Sequence, residues 1–122
     1  MSQADTLRQI MRDTQLASLG DAYINFVYSV AMTKTKGSPQ GIKVSDKILA
    51  DAFKLAELRP YLGTRVAKKD LANASESLLA KAYLSELITI QESIATITRQ
   101  SENPTLGLSD LLRLTAERIT SR

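Results

Sequence analysis

The chain has 122 residues, 43% of them hydrophobic, and a net charge of +3, enough to bury one core and too short for a second domain of ordinary size. It contains no cysteine and no histidine, which excludes disulfides, thiolate or imidazole metal sites, and Ser-His-Asp or Cys-His nucleophilic catalysis. Carboxylates, amides, hydroxyls, amines and tyrosines remain, with hard cations such as magnesium as the matching inorganic partner.

Apolar residues recur at helical spacing almost throughout, and no stretch alternates as a strand does, so we expect an all-α fold of about six helices over residues 1–122. Ser2 followed by Asp5 resembles a helix start, with Leu7, Ile10 and Met11 on the inner face of a short first helix. In the second, Leu16, Leu19, Tyr23, Phe26, Val27 and Val30 keep one phase straight through Gly20. A glycine inside a helix costs roughly 1 kcal/mol relative to alanine, so a close backbone approach is expected to compensate there. TKTKGSPQG, with Gly37, Pro39 and Gly41, reads as a basic loop. Ser45 can cap a third helix that buries Ile48, Leu49, Ala52, Leu55 and Ala56, and Pro60 and Gly63 mark the next turn. A fourth helix from about Lys69 to near Ser85 turns Leu71, Ala74, Leu78, Leu79 and Ala82 inward. Leu87, Ile90, Ile94 and Ile97 outline a fifth, after which Asn103, Pro104 and Gly107 read as an interruption and Ser109 as the cap of the last helix.

Charge is unevenly spread: residues 34–69 hold nine Lys or Arg against Asp46, Asp51 and Glu57, a net +6. Such a segment suits a polyanion, whose binding draws on phosphate neutralisation and counterion release; solvated lysines on exposed helices are the alternative. No run of about 18 apolar residues offers a membrane span, and MSQADTLRQI has neither the charged start nor the apolar stretch of a signal peptide, so a cytoplasmic protein with no membrane partner is expected.

Two segments place an acid beside small and apolar residues on helices expected to be largely buried. In LGDAYIN, Asp21 and Asn25 lie four apart on one helix face; in NASESLLAKAYL, Asn73 and Glu76 lie three apart. A carboxylate and an amide on each of two helices could hold a hydrated magnesium ion between them. The alternative is a pair of helix-surface acids with nearby lysine partners.

LGDAYIN is similar to the signature motif of the ribonuclease III family, and ESLLAKAYL resembles that family's second motif, in the same order along the chain. The resemblance covers about residues 13–84 and is to the small archaeal type that has no double-stranded-RNA-binding domain. It implies an RNA-processing endonuclease for double-stranded or structured RNA, working as a homodimer with Mg²⁺ or Mn²⁺. By motif position, Asp21 and Glu76 are the implied catalytic residues and metal ligands, with Asn73 beside them. Gly20, Tyr23, Phe26, Val27 and Val30 are the implied subunit seam. Lys34, Lys36, Lys43, Lys47, Arg65, Lys68 and Lys69 are the phosphate-contact candidates. Two positions depart from the family pattern: Ala17 stands where an acid four residues before Asp21 is usual, and Asn73 where an aspartate is usual. Both weaken the site, so a catalytically weak or inactive dimer that binds or scaffolds structured RNA is the rival reading.

Overall fold

A computed structural model describes residues 2–100 and 102–121, and among them there are six α-helices, one short 3₁₀ turn and no strand. The helices are α1 (Gln3–Met11), α2 (Thr14–Lys36), α3 (Asp46–Leu55), α4 (Lys68–Leu84), α5 (Ile90–Thr98) and α6 (Pro104–Thr120); the 3₁₀ turn spans Arg59–Leu62. No described helix is long and apolar enough to cross a membrane.

Each start follows local capping chemistry. Ser2, Asp13, Ser45, Thr89 and Asn103 each accept backbone N–H bonds at the head of their helices, satisfying donors that the first turn cannot. At α4 the capping acid lies inside the first turn, where Asp70 accepts the Ala67 N–H at 2.9 Å.

The centre of the domain is α4, whose sequence LANASESLLAKA supplies the small residues that let neighbours approach from several sides. Leu71, Ala72 and Ala74 through Ala80 are all buried. α2 packs most extensively on it, α3 and α1 cover other faces, and α6 closes the base between α3 and α5. The buried hydroxyls on α4 are satisfied: Ser75 donates to the Leu71 carbonyl at 3.0 Å, and Ser77 reaches both the Asn73 and Asp13 carbonyls at 2.9 Å.

Four expectations change. Leu55, expected on the inner stripe of α3, is 50% exposed, and Phe53 is buried instead. α2 runs on to Lys36 and ends at Gly37 in the left-handed conformation, φ 79°, so Lys34 and Lys36 belong to the last helical turn instead of a loop. Leu87 lies in the turn before α5. The final helix begins at Pro104, five residues before the expected cap, because Asn103 followed by Pro104 is a start signal and not an interruption. Ser109 and Gly107 are consequently buried within α6.

Candidate functional site

The crossing of α2 over α4 depends on one missing side chain. A Cβ on Gly20 would stand 1.9 Å from the Glu76 carbonyl oxygen and 2.4 Å from its carbon. The helices can touch backbone to backbone only because this position is glycine, which accounts for a glycine kept in mid-helix. Gly20 therefore faces its own chain, which corrects its expected place at a subunit seam. The same contact sets Asp21, the next residue, beside the Glu76 side chain.

Glu76 is 6% exposed and Asp21 half-buried at the mouth above it. The two carboxyl groups line one cavity and shift each other's proton affinity in opposite directions. Burial first, and then the hydrogen bond and the negative charges of Asp21 and Asp46, push the Glu76 carboxyl up to about 8, with Lys43 opposing. Asp21 is held below the usual carboxylate range by the hydrogen bond from Glu76 foremost, against partial burial, with Lys43 and Asn25 adding to it. Glu76 is thus the neutral donor and Asp21 the anion. Asp21 accepts from Lys43 Nζ and from Asn25 Nδ2, each at 3.1 Å. Asn25 is fixed in turn, its Oδ1 accepting the Val44 N–H at 2.7 Å.

The pair opens into a cavity of about 350 Å³ lined also by Asn73, Lys43, Asp46 and Lys69. The expected metal-site trio of Asp21, Glu76 and Asn73 is therefore brought together. Ala17, buried at 6% exposure, lines the same cavity. Among the described residues no three carboxylates stand close enough to form a cation cluster of their own.

The seven basic residues are all exposed, but they divide. Lys43 and Lys69 line the acid cavity, and Lys68 and Arg65 flank the start of α4. Lys47 is paired along α3 with Asp51 at 2.9 Å. Lys34 and Lys36 sit at the far end of α2, where helical rise sets Lys34 about 20 Å along the axis from Asp21.

The seam residues divide as well. Tyr23 is buried, its hydroxyl 2.7 Å from Ser93 Oγ, and Val27 is fully covered by its own chain, because the phase that unites them with Gly20 is the inner stripe of α2. That corrects their expected exposure. Val30 is half-buried and Phe26 is 57% exposed. With Phe26, the outer face of α2 carries Leu19 and Ala22, and Tyr83 stands beside it with its ring 5.1 Å from that of Tyr23.

Sequence reasoning missed Asp46 in the cavity wall and Asn25 as a bridge to the backbone at Val44. Asp46 had only the signal of an acid in a first helical turn. For Asn25 the spacing to Asp21 was visible, but its second partner, 19 residues away, was not.

A small helical domain whose two acids meet at a glycine-tight helix crossing, beneath lysines, has the make-up of a phosphodiester-handling protein. The Ribonuclease III family model matches residues 14–118, and the chain belongs to that family. Membership supports an RNA-cleaving role in general terms, in a family that generally uses a divalent metal. No curated protein matches the chain.

Proposed function

We propose that this protein is a divalent-metal-dependent endonuclease for double-stranded or structured RNA, with Asp21 and Glu76 as its catalytic carboxylates. The observation that carries the reading is the convergence of Asp21 and Glu76 in one cavity that Lys43 and Lys69 also line. Two carboxylates and the Asn73 amide oxygen make a hard-oxygen donor set that fits a single Mg²⁺ or Mn²⁺, because such an ion keeps several waters and takes others of its ligands from phosphate. When bound, the ion would supply an activated water and stabilise charge on the phosphate oxygens.

The chain's own residues do the rest. Without a cation, burial and the neighbouring Asp21 charge favour the protonated form of Glu76, which leaves the site one negative charge lighter. Lys43 is a counter-ion on a flexible stem, its side chain 74% exposed, and can leave Asp21 for an incoming phosphate. Lys69 on the rim, with Lys68 and Arg65 near it, would follow an A-form backbone by charge and shape. Leu19, Ala22, Phe26 and Tyr83 form an outward apolar face that supports assembly as a homodimer.

The test is magnesium-dependent cleavage of a labelled RNA duplex. Asp21→Asn should abolish cleavage with fold intact, and full activity would remove Asp21 from the mechanism. Asn73→Asp should lower the magnesium needed for half-maximal cleavage; equal titrations for the two proteins would take Asn73 out of the site. The lack of a third carboxylate close enough to Asp21 and Glu76 to complete a cation cluster among the described residues, with Lys43 already on Asp21, favours a second reading in which the dimer binds RNA without cutting it. Salt-sensitive duplex binding with no cleavage at any magnesium concentration would establish that reading.

A further inference from the structure

A second cavity, of about 190 Å³, adjoins the acid site and shares Thr14 and Asn73 with it as walls. Its floor is apolar: Met11 and Leu62 are buried and Val66 is half-buried. Its rim is polar, with Arg12 and Asp70 exposed and Thr14 between the two cavities. A cavity of about 150 Å³ accepts a benzene-sized ring, so this one has the dimensions of one aromatic heterocycle and is too small for a helix or strand of a partner.

We propose that this cavity receives one unpaired nucleobase of the bound RNA, swung out next to the phosphate that lies over Asp21 and Glu76. The inference rests on the reading above that RNA crosses the acid site. Three observations support the occupant. A flat ring could lie on Met11, Leu62 and Val66, while the Arg12 guanidinium at the mouth can stack on its face. The Asn73 side-chain amide lines both cavities and makes no hydrogen bond among the described residues, so with its oxygen turned to the acid site its N–H donors are open to a base edge. Asp70 uses Oδ2 on the Ala67 N–H, which leaves Oδ1 to accept from an exocyclic amine. Lys68 and Lys69 lie between Ala67 and Asp70 in sequence, at the head of α4, where they can neutralise the phosphates of a displaced nucleotide.

The experiment compares binding of two labelled RNA duplexes to the intact protein in EDTA, so that cleavage does not intrude: one perfectly paired, one with a single-nucleotide bulge. The bulged duplex should bind about tenfold more tightly, the gain expected from one stacked base. Val66→Phe, which fills the cavity, and Arg12→Ala, which removes the stacking rim, should each bring the ratio towards one while perfect-duplex binding changes by less. Arg12 is exposed, so that variant decides alone if Val66→Phe fails to fold. Equal binding of the two duplexes by the unaltered protein, or a ratio that survives in the folded variants, overturns the pocket and leaves the nuclease reading standing. Failure to bind either duplex overturns both.

Discussion

Two helix crossings in this domain use the same device and differ in what they enclose. At α2 on α4, Gly20 sits against the Glu76 carbonyl; at α6 on α5, Gly107 sits against the Ile97 carbonyl, where an added Cβ would stand 2.8 Å away. The second crossing encloses no acid, and the charges between α5 and α6 are matched elsewhere, about 16 Å along α6 from Gly107: Arg118 holds both carboxylate oxygens of Glu92, at 2.5 and 2.8 Å, and also the Leu87 carbonyl. At the first, the buried acid faces a second acid, with a cation only at the outer edge. Close approach alone makes a core. Close approach around an unbalanced charge makes a place where a phosphate and its cation have something to gain.

Breaking the first crossing should have the largest effect. Gly20→Ala forces a methyl group into a backbone carbonyl that lies on the central helix, and should cost roughly 3–5 kcal/mol or prevent folding, read by thermal or urea denaturation. Gly107→Ala should cost roughly 1–3 kcal/mol, because its clash is shallower and α6 can shift. If the two substitutions cost the same, the comparison between the crossings fails.

The unbalanced charge predicts a pH dependence. Glu76 releases its proton near 8 in the folded chain and near its ordinary 4.5 when unfolded. Its contribution is therefore fully present below about 4.5 and is lost as pH rises from there through about 8. Glu76→Gln keeps a neutral donor to Asp21, so it should flatten the decline and be more stable than the parent at pH 9 by about 2 kcal/mol. Identical denaturation midpoints for the two proteins at pH 6 and pH 9 would contradict this. The smallest expected effect is at Thr115 in α6, whose hydroxyl is fully buried and has no partner among the described residues. Thr115→Val should be neutral to stabilising by about 1 kcal/mol in the same measurement, since it removes an unmet polar group at constant shape.

The sequence carried the helices well because amphipathic period and capping residues are local. It carried Gly20 well for a related reason: a glycine in an unbroken helical phase needs a close neighbour, and the neighbour is α4. Asn103 and Pro104 were misread because the same residues that end one helix begin the next, and only the position of the following apolar phase separates the cases. The acids were legible as two motifs, but that Glu76 lies beneath Asp21 with a raised proton affinity depends on burial and on residues 55 positions apart. The face of α2 was the hardest to read. Tyr23, Val27 and Phe26 are all apolar, and which of them turn inward is decided by α4 and α5, not by α2 itself.

Asn25 ties the carboxylate floor to the backbone, donating to Asp21 on one side and accepting the Val44 N–H on the other. Its two ends leave it no freedom to turn over, so the Val44 amide is in effect wired to the charge on Asp21. A single backbone resonance can therefore serve as the gauge of the site: its chemical shift should move when Asp21 changes its counter-ion, in the untouched protein and without any substrate being cut.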